Sequence, residues 1–190
     1  WVYPLDAQQE GCLMARNAQW PAPGCFVMRS MSNAFELQFT DRSSAFLGDY
    51  PAPFFEWSHL CGTYDSNTMR LFVNGEVNAE LEIGHRTINS TRLPVEIGGA
   101  KGIMNNAALI DNAMLWNRAL APGEIRAQMS APTVGDGLVG WWPFDAESGL
   151  ADRSDRRNPA RLHAAGSLWT DDIPHDARHR PNQVLWVSPE

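Results

Sequence analysis

Side chains capable of chemistry are few in this sequence, and their spacing narrows what they can do. Glycoside hydrolysis needs two carboxylates on either side of a scissile bond. The nearest groupings, Glu76-Val77-Asn78-Ala79-Glu80 and Glu80-Leu81-Glu82, read instead as the solvated face of an outer strand. His175 and His179 stand four apart, a spacing that on a helix lets two imidazoles share a metal. Pro174 precedes them, no zincin Glu accompanies them and no apolar stripe supports a helix, so they read as structural or disordered. No Ser/His/Asp elbow and no phosphate loop occurs. Two acidic positions stand out. Asp65 is placed to organise a turn by accepting backbone N–H groups, and Asp111 either does the same or ligates calcium. Trp20, Tyr50, Phe54 and Phe55 fall in loops or at strand ends, where ring faces either stack on a flat apolar ligand surface or cap the core.

The elements that must position these residues are short and β-rich. Gly11–Arg16 and Cys25–Ser30 are apolar strands around a Pro-containing loop, Asn17 to Gly24. In Ala34–Thr40, Phe35, Leu37 and Phe39 share one face, and Glu36, Gln38 and Thr40 the other, the period of a half-buried strand. Phe46-Leu47 belongs to a further strand. Trp57–Tyr64, Met69–Val73 and Glu76–Glu82 form a meander, joined by Asp65-Ser66-Asn67-Thr68 and then by Asn74-Gly75. The second joint is a type I′ signal, because that turn needs positive φ at both central residues. Val95–Ile97 and Ala108–Trp116 are strands, and Pro122–Met129 is a helix with Pro at its first position and no side-chain acceptor at Ala121. Ser130–Gly137 is a linker, Leu138–Phe144 a strongly aromatic strand, and 168–190 an extended tail apart from the apolar run Val184–Val187.

Composition excludes whole classes. The 190 residues carry a formal charge of −7 with Lys101 the single lysine, which argues against a nucleic-acid partner. No apolar run reaches the roughly 20 residues of a membrane span. Fifteen Gly, 13 Pro and eight Trp suit a turn-rich β-protein with ring-lined faces. Cys12, Cys25 and Cys61 form no CxxC pair. Cys12 and Cys25 would face each other as a disulfide if their loop centres near Ala18–Gln19; the alternative is buried free thiols. The opening at Trp1, already strand-like and without a signal peptide, reads as that of a fragment or processed product.

Trp57-Ser58-His59-Leu60-Cys61-Gly62-Thr63-Tyr64-Asp65, followed by Met69 to Gly75, resembles the W-x-H-x-x-x-T-Y-D and V-N-G strands of laminin-G-like jelly rolls in the concanavalin A-like lectin/glucanase superfamily. Ile97-Gly98-Gly99, Leu109-Ile110-Asp111, Leu115 to Leu120 and Glu124-Ile125 resemble the I-G-G turn, I-D-E strand and closing N-R-A-L-x-x-x-E-I helix of the same family. Gly137 to Asp145, with Asp152, Ser154 and Asn158 after it, resembles the segment that usually opens such a domain, here placed behind the closing helix. The family's glucanase branch uses an E-x-D-x-x-E strand, which this chain lacks, and Asn112 stands where the family usually has Glu.

The expectation is an all-β, antiparallel two-sheet jelly-roll sandwich with one short helix near the end of the domain. Residues 1–130 form the sandwich, 131–137 a linker, 138–167 a segment completing the sandwich, and 168–190 an extended tail. The resemblance implies a non-catalytic module that recognises carbohydrate or protein within a larger exported polypeptide, extracellular or periplasmic. The rival is an architectural domain or subunit of an enzyme complex without a ligand of its own. Calcium is the one cofactor the resemblance raises, with Asp111 as its ligand, and the loss of a carboxylate at Asn112 weighs against it.

Overall fold

The computed structural model describes residues 1–5, 11–16, 24–30, 34–49, 52–99, 107–145, 147–161, 167–170 and 184–187. In chain order the strands are β1 (Val2–Pro4), β2 (Cys12–Arg16), β3 (Phe26–Arg29), β4 (Phe35–Gln38), β5 (Ser44–Leu47), β6 (Leu60–Tyr64), β7 (Thr68–Val73), β8 (Glu76–Glu82), β9 (Glu96–Ile97), β10 (Ala108–Ile110) and β11 (Ala113–Trp116). Helix α1 (Pro122–Ser130), β12 (Leu138–Trp142), β13 (Ser167–Thr170) and β14 (Val184–Val187) follow. Every ladder is antiparallel, in sheets ordered β5-β4-β3-β2-β9, β6-β7-β8, β11-β12 and β1-β10-β14-β13. The mostly antiparallel β-architecture with one short helix is the jelly-roll sandwich that the sequence led us to expect.

The packing follows from alternation. Phe35, Leu37, Ala45 and Leu47 point from the five-stranded sheet onto Met69 and Leu71 of β7 and, with Ala34 and Phe39, are all buried. The approach is close enough that a Cβ at Gly62 would stand 2.7 Å from the Phe35 ring. As the middle strand of its sheet, β7 is apolar on both sides. Its Phe72 is buried on the outer side beneath Leu120 and Ile125, which anchors α1. Ala121 supplies no side-chain cap, as expected. Glu124 compensates, accepting the Ala121 N–H at 2.7 Å and both Arg118 guanidinium nitrogens at 2.7 and 2.9 Å. Those donors hold its carboxyl down at about 2.

The meander β6-β7-β8 forms in sequence order. Asn74 and Gly75 both take positive φ, 49° and 82°, as the I′ turn requires. Asp65 Oδ1 accepts the Asn67 and Thr68 N–H groups at 3.0 and 2.8 Å, so the turn role is the one it plays. At the outer edge, β8 pairs with β7 alone among the described strands. It exposes Glu76, Glu80 and Glu82 together with Val77 and Leu81.

β12 pairs with β11, Ala113 opposite Trp142 and Met114 opposite Trp141. Leu138 and Trp142 turn inward, and Trp142 lies over Gly140, where a Cβ would meet its ring at 2.5 Å. A clasp behind β12 is built on Asp152. One carboxylate oxygen accepts Trp141 N–H and Ser154 N–H, both at 2.8 Å. The other accepts the Ser154 hydroxyl and Asn158 N–H at 2.8 Å and Asn158 Nδ2 at 2.5 Å.

Four expectations are corrected. Cys12 and Cys25 do not form a disulfide; both thiols are free and buried. The hairpin pairs Arg16 with Phe26 and Cys12 with Arg29, so its centre lies later than Ala18–Gln19 and the cysteines sit at opposite ends of the ladder. Ala108–Trp116 is two strands, because Asn112 takes φ 49° and breaks the ladder. Residues 168–190 are not wholly an extended tail. Ser167–Thr170 pairs with Val184–Val187, which pairs with β10, in keeping with the β-branched and aromatic residues of both runs. Finally, Glu36 does not face solvent but is only 5% exposed, for reasons that belong to the next section.

Candidate binding site

Of the four aromatic candidates, the structure describes Phe54 and Phe55; Trp20 and Tyr50 lie outside the described residues. The strand ends flanking Trp20, Arg16 and Gly24, stand at the opposite end of the five-stranded sheet from Asp49, which precedes Tyr50.

Phe55 sits in the segment between β5 and β6. Ala52 N–H donates to the Ser30 carbonyl at 3.0 Å, Phe55 N–H to the Pro4 carbonyl at 3.0 Å, and Ser58 exchanges two bonds with Val2 at 2.9 Å. Within this tied segment Phe55 takes φ 61° and leaves 58% of its surface exposed. Both features cost free energy. A bulky residue in the left-handed region is disfavoured by about 1–3 kcal/mol, and an unburied Phe forgoes about 1.5–3 kcal/mol. The surrounding structure imposes the conformation: Tyr3 stands edge-on to Phe55 at 6.4 Å, Trp57 lies 5.5 Å from Tyr3, and both sit in a buried cluster with Leu109. Phe54 is half-buried and Glu56 exposed. The result is a fixed, outward-facing ring on an aromatic support with a carboxylate beside it. Such a surface stacks on an apolar ligand face without chemistry of its own.

A second exposed ring escaped the sequence reading. In Ser44-Ala45-Phe46-Leu47 the inward positions are Ala45 and Leu47, so Phe46 must point outward, and it is 47% exposed. That alternation was the available signal. Across the ladder from Phe46 is Glu36. Its carboxylate pairs with Arg29 at 2.5 Å and accepts Gln38 Nε2 at 2.8 Å, while Gln38 Oε1 accepts Gly24 N–H at 2.6 Å. This network explains the burial of Glu36: the charge is held by partners on its own sheet face rather than by water.

Asp111 is 1% exposed. Its Oδ2 accepts Asn112 Nδ2 at 2.8 Å, and Asn112 Oδ1 accepts Trp141 Nε1 at 3.0 Å. Asn112 thus links β10 to β12 with one donor and one acceptor, a combination a Glu cannot supply. Calcium needs six to eight oxygens. Here Asp111 Oδ2 and Asn112 Oδ1 each already accept an N–H donor, and no group of three or more His, Cys, Asp or Glu gathers to hold a metal among the described residues. Adding calcium at low millimolar concentration is expected to leave the melting temperature unchanged in a thermal scan, because a ligand that does not bind the native state cannot stabilise it. A rise of many degrees would overturn that expectation.

The His59 ring packs edge-on to Trp1 at 5.3 Å, and the His59 backbone N–H donates to Asn74 Oδ1 at 2.9 Å, which is a structural setting. Burial pushes the Cys12 and Cys61 thiols up to about 12, so neither is a thiolate nucleophile at neutral pH. His175 and His179 lie outside the described residues. No helix among the described residues is long and apolar enough to cross a membrane.

Comparison with known proteins places this geometry. A family model described as the concanavalin A-like lectin/glucanases superfamily matches residues 1–126. Mouse (Mus musculus) Pentraxin-related protein PTX3 is 25% identical over 156 residues, which cover 74% of this chain and 41% of that protein. A solved structure from Bacteroides ovatus ATCC 8483, described as a candidate carbohydrate-binding protein, matches with a TM-score of 0.63 at 17% identity. That match covers 82% of this chain and 48% of the other. At that identity the likeness speaks to the fold alone. The chain spans less than half the length of either relative.

Proposed function

The chain belongs to the concanavalin A-like lectin/glucanase superfamily, and from that premise we propose that it is a non-catalytic binding module that recognises carbohydrate through the Phe55 end of the sandwich. The carrying observation is Phe55 itself, exposed, held at positive φ and backed by Tyr3 and Trp57. Backbone strain and an unburied ring on one residue are paid together only where the ring is wanted outside. Glu56 beside it offers an acceptor for sugar hydroxyls. The carbohydrate-binding description of the Bacteroides ovatus structure supports the same reading. We further take residues 1–130 with the segment 138–167 as one sandwich, joined by a linker at 131–137, and the parent polypeptide as an exported one.

A glycan array on the purified chain tests the reading. Binding to a defined set of glycans is expected, and Phe55→Ala is expected to weaken it roughly tenfold or more, since stacking and hydrophobic contact through one aromatic ring are worth about 1–3 kcal/mol. Phe55 contributes little to the core, so the variant should keep its melting temperature. Silence across the array, or binding that Phe55→Ala leaves untouched, would favour the architectural role or move the site to another surface.

A further inference from the structure

Charge is placed unevenly around Phe55. Glu56 follows the ring directly in the chain, Asp49 follows β5, and both are exposed. Backbone bonds gather them at one end of the five-stranded sheet. The Gly48 carbonyl accepts Ala34 N–H at 2.9 Å, just ahead of β4, and Ala52 N–H donates to the Ser30 carbonyl at 3.0 Å, just past β3. Asp49 and the Phe55 segment thus hang from the same sheet end.

The arginines whose partners are known stand elsewhere or are engaged. Arg29, next to Ser30 at this end, pairs with Glu36 at 2.5 Å. Arg42 sits in the turn at the opposite end of β4 and β5, where its N–H donates to the Phe39 carbonyl and Arg86 pairs with Asp41. Arg70 pairs with Asp65 and Glu80 in the meander, and Arg118 with Glu124 at α1. The single lysine, Lys101, lies outside the described residues.

A pyranose stacked on an aromatic ring lays its C–H face on that ring and carries its equatorial substituents outward past the rim. The side chain that follows Phe55, exposed like it, is a carboxylate. A uronate or sulfate at that rim meets like charge, in the field of a chain with formal charge −7. A protonated amine meets opposite charge, and an ammonium at an aromatic face is attracted by the ring quadrupole as well. Resting on the carbohydrate reading above, we infer that the Phe55 end takes neutral sugars, holds sugars with a free amine more tightly, and rejects uronates and sulfated sugars. Phe55 supplies the stacking face and Glu56 the sign of the charge that is accepted.

The test is a glycan array on the purified chain in which partly deacetylated chito-oligosaccharides, oligouronates and sulfated oligosaccharides stand beside neutral glycans. It is read slightly below neutral pH, where amines are protonated and carboxylates ionised. Two ionic strengths are used, about 0.01 and 0.15 M, at which charges are felt over about 30 and 8 Å. Phe55-dependent binding is expected for neutral and amine-bearing glycans only. Deacetylated chito-oligosaccharides should bind roughly three- to tenfold more tightly than their acetylated parents at the lower ionic strength, and the higher one should shrink that ratio. Glu56→Gln is expected to bring the ratio toward one and Glu56→Lys to invert it, both with the native melting temperature, since Glu56 is exposed. A ratio that both variants leave unchanged, or Phe55-dependent binding of a uronate or sulfated glycan by the native chain, would overturn the charge selection while leaving carbohydrate recognition in place. Silence across the array, or signals that Phe55→Ala leaves untouched, would remove the carbohydrate reading at Phe55 and the selection with it.

Discussion

Asp152→Ala is expected to lower stability by about 3–5 kcal/mol, a large share of what a domain of this size possesses. The carboxylate, 5% exposed, takes the backbone N–H groups of Trp141, Ser154 and Asn158 and two side-chain donors. Alanine leaves three backbone donors unmatched at once, the buried Ser154 N–H and the part-buried Trp141 and Asn158 N–H groups, each at about 1–3 kcal/mol less what water recovers. Asp152→Asn should also be costly, because its NH₂ would face donors. The effect carries a pH signature. Burial works to raise the Asp152 pKa, but the backbone donors Trp141, Asn158 and Ser154 outweigh it and hold the group below the usual carboxylate range. A folded pKa below the unfolded one contributes stability that is fully present above the unfolded value of about 3.9 and is lost as the pH falls toward the folded value. In urea titrations, the gap between the native chain and Asp152→Asn should therefore be constant from neutrality to about pH 5 and narrow below about pH 4. A gap that stays constant through acid would show that the clasp does not depend on the carboxylate charge.

Glu36→Ala is expected to cost about 3–5 kcal/mol, while Arg29→Met with Glu36→Leu together should cost far less. The pair is 2.5 Å apart with both side chains largely withdrawn from solvent. Removing Glu36 takes away the carboxylate that Arg29 and Gln38 Nε2 share on a sheet face that buries Cys12, Ala15 and Val27. Removing both charges together leaves neither member of the pair without its counter-charge. A double-mutant cycle in urea measures the coupling; additive losses would mean that Arg29 relaxes into water when its partner goes.

Much of the framework was legible because it rests on period and turn chemistry. Phe35, Leu37 and Phe39 announced their face by alternation, and Asn74-Gly75 announced its turn by the φ it allows. What was hidden rests on long-range facts. Alternation assigns Glu36 to the polar side of its strand, but a sheet's outer face need not be wet, and only Arg29 on the next strand shows that the charge is kept. The Cys12–Cys25 reading depended on a loop centre no local rule supplies, and the register placed it elsewhere. Asn112 was read as a missing carboxylate, whereas it breaks a strand and bridges Asp111 to Trp141; Asn's tolerance of positive φ was the only local hint. Of the candidate site, Phe54 and Phe55 were found by residue type and loop position. The strained backbone that singles out Phe55 is invisible in sequence, and Phe46 was passed over although its strand pattern had already turned it outward.

The outer edge of β8 bears on how the molecule behaves as a crowd. An open ladder flanked by exposed Val77 and Leu81 is a template on which a second chain can grow. Glu76, Glu80 and Glu82 run along that edge. Antiparallel self-pairing centred on Ala79 would set Glu76 opposite Glu82, a like-charge pair that weighs against that register. High salt mutes these charges. The charges along this edge thus weigh against association of neighbouring copies.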